Sequence, residues 1–395
     1  MPSLRRAVRG LLALTLVCTG AATVPRRIAE RDAAALRRGD REAQDDLARG
    51  VAATAGLPAA APHTGDARFD GEWALVTQQM SLIGLAQVIL AHPERRPAYL
   101  PTLERCAARL IDEKTTAFGS AAWREQGLRR LDPPPGADPA LRSESGHAYL
   151  GYVGLALGML RRIDPDTRYA TLHDRLSATL ARRLAAAPHG LIETYPNETY
   201  PADVAMVLAT LAVHDQIGKP SYRPILAKAI ALLRQSAVDP ETGLLYQRVD
   251  ARTGQPLSPP RASGTALAAY ALGFVDPALA RRLTSALRDQ SGGALGFAAL
   301  REYPSDPSGR HPGKGDIDSG PLILGYSLAA SGFALGPLRQ HGHAALFTAV
   351  YRSLDLFGVP VSEDSNRRFL AGGPLGNAVL LAMLTAPALP AGGPR

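Results

Sequence analysis

Two kinds of helical pattern alternate along this chain of 395 residues, and the alternation constrains the fold more than any other feature. Residues 150–160 (LGYVGLALGML) are apolar almost all round and rich in Gly and Ala, whereas residues 169–186 are plainly amphipathic. A helix that is apolar all round has to be buried, and amphipathic helices cover it. The alternation therefore predicts an inner ring of buried helices and an outer ring of covering helices.

The pattern predicts eleven helices after residue 70, and the charged segment near residues 30–50 supplies a twelfth. Asp-Pro pairs punctuate several helix ends, with Asp as the N-cap and Pro at the first helical position. Twelve helices in two rings predict an all-α protein, an (α/α)6 barrel. An α-solenoid is the competing architecture, but the sequence has no fixed repeat period. The predicted helices span 71–92, 97–116, 144–163, 168–187, 200–217, 222–237, 262–274, 276–290, 318–334, 340–356 and 373–386.

The N-terminus has the pattern of a targeting signal. Arg5, Arg6 and Arg9 precede an apolar stretch at residues 10–24, which is short for a membrane-spanning helix of about 20 residues. An uncleaved anchor stays open, because Arg26 follows so closely. We expect a signal peptide or membrane anchor at 1–25, a charged helix and Pro/Ala/Gly linker at 26–65, and the barrel at 66–390. The protein is then secreted, periplasmic or membrane-anchored through its N-terminus; a homo-oligomer is left open.

Composition bears mainly on the choice of partners. The net charge of +8 comes from scattered Arg rather than from one basic face, which argues against nucleic acid as a partner. Two Cys exclude a disulfide framework, and nine dispersed His give no metal-ligand spacing. No Gly-rich phosphate loop follows a strand. We therefore expect a small-molecule substrate, with no metal and no cofactor.

Three loops carry most of the polar and aromatic residues that could do chemistry, at 190–203, 243–264 and 300–321. Each loop precedes or opens an apolar helix. The inner helices of a toroid share one direction, so we expect these loops to meet at one mouth of a central cavity. The candidate catalytic residues are Glu193, Tyr152, Tyr246, Glu302 and Asp318, and the candidate substrate-binding residues are Tyr195, Tyr200, Asp203, Asp316 and Trp123.

Glu193 and Glu302 each come shortly after an apolar pair of residues. A carboxyl group on apolar walls is desolvated, which raises its pKa and suits it to general-acid catalysis. A structural role is the alternative: either residue could cap a helix or pair with an Arg, as Glu302 could with Arg301. For Asp316 and Asp318 the alternative to catalysis is that Asp318 or Ser319 caps a helix, and Asp203 has the same two interpretations at the start of its helix.

These motifs resemble the linalool dehydratase/isomerase family, in the segments Tyr149-Leu150-Gly151-Tyr152, Gly190-Leu191-Ile192-Glu193 and Gly315-Asp316-Ile317-Asp318-Ser319-Gly320, and in Tyr246. The resemblance implies an (α/α)6 barrel that dehydrates or isomerises an alcohol without a cofactor. Where that family uses a His and two Cys, this chain has Tyr152, Glu193 and, approximately, Ala202. The resemblance thus implies a Tyr/Glu acid–base set in place of a Cys/His set.

Three functions compete. The first is a lyase or isomerase that acts on an alcohol-bearing, terpenoid-like substrate, with Glu193 protonating the leaving hydroxyl and Tyr152 or Tyr246 relaying the proton. The second is a carbohydrate-active enzyme (glycoside hydrolase, lyase or epimerase) with paired carboxylates. The third is a non-catalytic binding barrel. The shape of the cavity discriminates them: a closed apolar pocket favours the first, an open acidic groove the second, and a filled core the third.

Overall fold

The computed structural model describes residues 26–56, 65–113, 127–132, 146–218, 221–304 and 315–389, together with residues 12, 23 and 115. Thirteen helices lie in this part of the chain. They are α1 (26–38), α2 (Arg41–Ala52), α3 (Ala67–Ala91), α4 (Arg96–Leu110), α5 (His147–Ile163), α6 (Ala170–Ala186), α7 (Pro201–Ile217), α8 (Arg223–Ala237), α9 (Ala262–Leu272), α10 (Pro277–Asp289), α11 (Leu328–Gln340), α12 (Ala344–Gly358) and α13 (Gly373–Leu384).

Six of these helices form a closed inner ring. Each of α3, α5, α7, α9 and α11 packs against the next in this order, α11 packs against α13, and α13 returns to α3. The outer helices α4, α6, α8, α10 and α12 each follow their inner helix and cover it. Helix α2 packs on α3 and α13 and fills the sixth outer position. The predicted (α/α)6 barrel is confirmed.

Small residues allow the inner helices to pack closely. Every residue of α5 from His147 to Leu160 is buried. A Cβ atom at Gly154 would come within 2.5 Å of the Thr210 side chain on α7, and one at Gly151 within 2.9 Å of Val207. The Thr210 hydroxyl donates a hydrogen bond to the Gly151 carbonyl at 3.0 Å. The glycines of the apolar pattern are therefore what brings α5 and α7 together.

One predicted helix is misplaced. Residues 318–334 were expected to be helical, but α11 begins only at Leu328. Gly320 and Gly325 have positive φ angles of 67° and 82°, and Pro321 lies between them, so the backbone turns instead of entering a helix. Within this segment β3 (Tyr326–Ser327) extends a small antiparallel sheet of β1 (Ser291–Ala294) and β2 (Phe297–Arg301). The hairpin of β4 (Pro360–Glu363) and β5 (Asn366–Phe369) was not predicted either.

Helix α3 is the one described helix whose length and composition would allow it to cross a membrane, over Phe69–Ala91 with a mean hydropathy of 1.5. Its most apolar window is 78% buried inside the barrel. It therefore has the position of a core helix. The predicted signal at 1–25 lies almost wholly outside the described residues, and the domain boundaries at 25 and 65 stay a prediction.

Candidate functional site

A cavity of about 1060 Å³ lies at the N-terminal ends of the inner helices. All six inner helices contribute residues from their first two turns, for example Trp73 on α3, Asp203 on α7 and Gly376 on α13. The loops before α7, after α8 and before α11, the end of α12 and the segment before α13 complete the wall. Five carboxylates and two guanidinium groups line it: Glu72, Glu198, Asp203, Asp316 and Asp318, with Arg248 and Arg261.

Asp203 is a buried carboxyl group in the first turn of α7, with 6% of its surface exposed. Tyr152 on α5 donates a hydrogen bond to Asp203 Oδ1 at 2.9 Å, and the Thr194 side chain is a second partner. Burial raises the pKa of Asp203 to about 7, and the negative charge of Asp318 acts in the same direction, whereas the two hydrogen bonds lower it. The cavity therefore holds a carboxyl group that gains and loses a proton near neutral pH.

Two further acidic residues stand beside this pair. The Tyr195 hydroxyl donates to Glu72 Oε1 at 2.8 Å, and the charges of Glu72 and Asp203 reinforce burial in raising the pKa of Tyr195. Asp318 is open to the cavity, and the Trp73 indole donates a hydrogen bond to it. Desolvation in the cavity wall raises the pKa of Asp318, and the charge of the neighbouring Asp316 adds to this effect. The charge of Arg261 and the hydrogen bond from Trp73 lower it. An ionisable, accessible carboxylate is thus held in the same chamber as Asp203.

Arg261 is the centre of a second acidic cluster, in which the carboxylates are paired with a cation. Its guanidinium is buried, donates to both carboxylate oxygens of Asp316 at 2.6 and 2.7 Å, and donates through Nε to Glu302. Burial would lower the pKa of Arg261, but hydrogen bonds to Asp316 and the charge of Glu302 raise it above the ordinary value. For Asp316 both effects have the reverse sign: burial acts to raise its pKa, but the hydrogen bonds and charge of Arg261 hold the pKa below its usual range. This bidentate pairing is a positioning arrangement that keeps Asp316 ionised.

Two more polar pairs shape the cavity. Arg248 and Glu198 form an ion pair at 2.9 Å, and the Tyr200 hydroxyl donates to the second oxygen of Glu198 at 3.2 Å. Tyr246 donates to Asp239 Oδ1 at 3.0 Å, and burial together with this bond raises the pKa of Tyr246 to about 12. At neutral pH both tyrosines are therefore hydrogen-bond donors that keep their protons.

Seven of the ten residues singled out from the sequence line this one cavity: Tyr152, Tyr195, Tyr200, Asp203, Tyr246, Asp316 and Asp318. The first and the last of them, Tyr152 and Asp318, are more than 160 positions apart in the sequence, and yet both line the same cavity. The three loops therefore meet at one mouth of the cavity, as expected. Trp123 lies outside the described residues. Whether the seven act in catalysis or binding stays a prediction.

Glu193 does not lie where a buried acid was expected. Its side chain is exposed and does not line the cavity, although Leu191, Ile192 and Thr194 around it are buried. Only its backbone faces inward, where the carbonyl accepts a hydrogen bond from the His147 ring. The expectation of a desolvated carboxyl at Glu193 is wrong, because the chain turns this one side chain outward.

Glu302 is buried, as expected, but its carboxylate binds neighbouring side chains and does not face the cavity. Arg261 and Ser263 donate to Glu302 Oε1, and the side chain does not line the cavity. The partner named from the sequence, Arg301, was the wrong one: its guanidinium stacks on Tyr326 at 4.8 Å. Glu302 therefore lies behind the cavity wall and holds Arg261 in place.

Sequence reasoning did not single out Glu72, Trp73, Glu198, Arg248 or Arg261, all of which line the cavity. Glu72 and Trp73 sit in Asp70-Gly71-Glu72-Trp73, just where an apolar helix begins, which is the signal that identified Asp203 on α7. The same criterion applied to α3 would have found them. Among the described residues, no group of three or more His, Cys, Asp or Glu side chains is placed to hold a metal ion.

No protein family profile and no curated protein sequence matches the chain. Three solved structures of the α-1,6-mannanase GH76A of Salegentibacter sp. HEL1_6 do match in three dimensions. The structure of the enzyme itself matches with a TM-score of 0.52 and 13% identity, over 88% of this chain and 98% of the mannanase chain. Two inactive variants with both of two adjacent aspartates replaced match over the same shares of the two chains, at 14% identity. One is in complex with α-1,6-mannotriose (TM-score 0.51) and the other with α-1,6-mannotetrose (TM-score 0.52).

These matches confirm the (α/α) toroid and contradict the family resemblance. The structural neighbours are α-mannanases, so the resemblance to the linalool dehydratase/isomerase family is wrong, and so is the lyase or isomerase function on a terpenoid-like alcohol. The Leu-Gly-Tyr and Gly-Leu-Ile segments that carried it lie at the start of an inner helix and in the loop before the next one.

Proposed function

We propose that this protein is a carbohydrate-active enzyme that cleaves a glycosidic bond, with Asp203 as the general acid and Asp318 as its partner carboxylate. The observation that carries the proposal is the pKa of about 7 for Asp203, in a chamber that also holds the accessible carboxylate of Asp318. Glycosidic bond cleavage requires one protonated and one ionised carboxyl group near the scissile bond. Two acidic residues in one chamber meet that need.

In this mechanism, protonated Asp203 donates its proton to the glycosidic oxygen as the bond to the anomeric carbon breaks. Tyr152 holds the Asp203 carboxyl group in place through its hydrogen bond and stabilises the carboxylate that remains. Asp318, held by the Trp73 indole, faces the developing positive charge and acts as base toward water or as nucleophile. Arg261 keeps Asp316 ionised next to Asp318, where the charge of Asp316 raises the pKa of Asp318 and the charge of Arg261 lowers it.

The first substrates to test are α-1,6-linked mannooligosaccharides, because the structural neighbours are α-1,6-mannanases. The acidic residues differ, however. The mannanase variants are inactive after replacement of two adjacent aspartates, whereas the only adjacent pair in this sequence is Asp45-Asp46 on α2. Asp45 is buried outside the cavity, where Tyr99 and Arg95 hold it. We therefore assign the acid and its partner from this cavity alone, and the sugar specificity is open to the assay.

The proposal also includes location. An enzyme that degrades oligosaccharides outside the cytoplasm needs an export signal, and residues 1–25 have that pattern. The charged residues Arg5, Arg6 and Arg9 followed by an apolar stretch support export. N-terminal sequencing of the protein recovered from a secreting host would show cleavage before about residue 26, or retention of the segment as an anchor.

The test is an assay of bond cleavage with purified protein on a panel of α- and β-linked oligosaccharides that includes α-1,6-mannotriose. We expect cleavage by the unmodified protein and a loss of about 10²–10⁴-fold in kcat/KM for Asp203→Asn and for Asp318→Asn. The matched control is Asp276→Asn, which removes a capping carboxylate of the outer helix α10 and leaves the cavity intact. Full activity of folded Asp203→Asn would refute the assignment.

A further inference from the structure

The cavity wall is divided into two halves of opposite character. Every charged lining residue lies at or before position 318, in the half built by α3, α5, α7 and α9, the loops before α7 and α9, and the first part of the loop before α11. Every lining residue after position 320 is apolar or glycine, and these residues come from α11, from the end of α12, and from α13 with the segment before it. We call the second half the apolar wall. It includes Leu328, Phe333, Phe357 and Leu375.

The apolar wall is open and continues onto the surface. Phe357 is 65% exposed and Leu328 is 52% exposed, although both line the cavity. Beyond them, Val359 and Leu370 are 51% and 54% exposed, and the Leu370 N–H donates to the Val359 carbonyl at 3.2 Å, so the two lie side by side at the rim. Contiguous exposed apolar surface of this kind marks a site of contact with a ligand or another apolar surface.

Two glycines widen the cavity along the apolar wall. Gly332 on α11 and Gly376 on α13 both line it, and a Cβ atom added at either would meet no atom within 4 Å. Neither has a positive φ angle, so the backbone does not require glycine there. The absence of a side chain at these positions therefore leaves room for a ligand rather than permitting close helix packing.

The chemistry of the apolar wall does not suit sugar hydroxyl groups. Hydroxyls that leave water need hydrogen-bond partners, and no side chain of this wall provides one. An alkyl chain, in contrast, binds more tightly to such a wall: its affinity rises about fourfold for each methylene group that it buries. The cavity volume of about 1060 Å³ is at the upper end of the range for small-molecule pockets, which is sufficient for a sugar and a chain together.

We infer that the substrate of this site is a glycoside that carries an apolar chain, of the glycolipid type. The sugar binds at the acidic half and the chain lies along the apolar wall toward Val359 and Leu370. This inference rests on the proposed function for the identity of the sugar half, whereas the binding of the chain depends on the apolar wall alone.

The experiment measures binding by titration calorimetry of three probes: methyl α-mannoside, n-octyl α-mannoside below its micellar concentration, and α-1,6-mannotriose. Gly332→Leu and Gly376→Leu fill the apolar wall, and Leu has a higher helix propensity than Gly, so both variants should fold. Gly218→Leu is the matched control, because Gly218 is exposed at the end of α7 and outside the cavity. Thermal unfolding checks that each variant is intact.

We expect the octyl glycoside to bind about 100-fold more tightly than the methyl glycoside, since four buried methylenes suffice for that ratio. The ratio should fall below about threefold in Gly332→Leu and stay unchanged in Gly218→Leu. A ratio near one in the unmodified protein, or a ratio that both filling variants leave intact, would overturn the inference. So would a gain for mannotriose that equals the gain for the octyl chain and is lost in Gly332→Leu, because the wall would then be a sugar subsite. If the octyl chain binds at the apolar wall but no glycoside is cleaved, the proposed hydrolase function is refuted, whereas the inference that the wall binds an apolar chain still holds.

Discussion

Two acidic clusters share one cavity mouth, and their surroundings give them opposite properties. Around Asp203, the contacts are a tyrosine hydroxyl and a threonine, and the pKa of the carboxyl group rises to about 7. Around Arg261, the guanidinium contacts both Asp316 and Glu302, and the pKa of Asp316 falls below its usual range. Both clusters lie at the N-terminal ends of inner helices, so the helix dipoles do not explain the difference.

The difference follows from the presence of one cation. Burial alone raises the pKa of a carboxyl group, and a guanidinium within hydrogen-bond distance reverses that shift. Asp203, which has no cation beside it, is suited to give up a proton near neutral pH, while Asp316 is ionised there. In the proposed function, Asp203 supplies the protonated carboxyl group, and Asp318, which lies beside the Arg261 cluster, supplies the ionised one.

Removal of the cation should have the largest effect. In Arg261→Met, Glu302 and Asp316 lose their shared cationic partner, and the buried Glu302 keeps only the Ser263 hydroxyl as a side-chain donor. We expect the free energy of unfolding at pH 7 to fall by about 3–5 kcal/mol, measured by urea denaturation. The matched control is Arg248→Met, which breaks the half-exposed pair with Glu198 and should cost about 1 kcal/mol or less. Equal losses in the two variants would show that burial of the Arg261 cluster has no energetic importance.

Substitution of Asp203 should change how stability depends on pH. The folded protein holds the Asp203 proton up to a pKa of about 7, against 3.8 in the unfolded chain. The stabilisation is complete below pH 3.8 and is lost as the pH rises through about 7, by up to about 4 kcal/mol. Asp203→Asn should remove this loss in denaturation curves between pH 4 and 8. For Asp316 the sign is opposite: its stabilisation is present above pH 3.8 and is lost as the pH falls through the lowered pKa. Identical pH slopes for Asp203→Asn and the unmodified protein would contradict the assignment.

Tyr152 provides a second test of the Asp203 cluster. Its hydroxyl favours the ionised form of Asp203, so Tyr152→Phe should raise the pKa of Asp203 further. The basic limb of the pH–rate profile should therefore move to higher pH, and loss of the hydrogen bond should cost about 1 kcal/mol of stability. A basic limb that moves to lower pH in this variant would mean that Asp203 is not the titrating group.

The smallest effect is expected at Glu193. Its side chain is exposed and outside the cavity, so Glu193→Gln should change the free energy of unfolding by no more than about 0.5 kcal/mol. Glycosidase activity should be unchanged as well. Loss of activity in a stable Glu193→Gln protein would return this residue to the site and would show that the loop at 190–200 moves during the reaction.

Much of the fold was predictable because each ring has its own pattern. All-round apolar helices such as α5 and α7 and amphipathic helices such as α10 were placed within a few residues. The start of α11 was not, because residues 322–327 are as apolar as a helix but follow Pro321 and turn at Gly325. Exposure of Leu324 at 86% shows that apolar sequence here does not mean burial.

The site was predictable only in part. The rule that polar residues at the start of inner helices face one cavity found Asp203 and Tyr152. It could not distinguish Glu193 from Asp203, because the direction of a single side chain in a loop depends on tertiary contacts such as that of His147 with the Glu193 carbonyl. It also missed Arg261, whose role depends on Glu302 and Asp316. Both of these residues are more than forty positions away from Arg261 in the sequence.

The carboxyl carbon of Asp203 reports directly on whether this residue keeps its proton close to neutral pH. Protein with ¹³C-labelled aspartate, compared with Asp203→Asn, allows the Asp203 signal to be assigned and followed by NMR as the pH is raised. We expect one aspartate signal that titrates near pH 7 and is absent from the variant. Titration of every aspartate carboxyl group below pH 5 would contradict it.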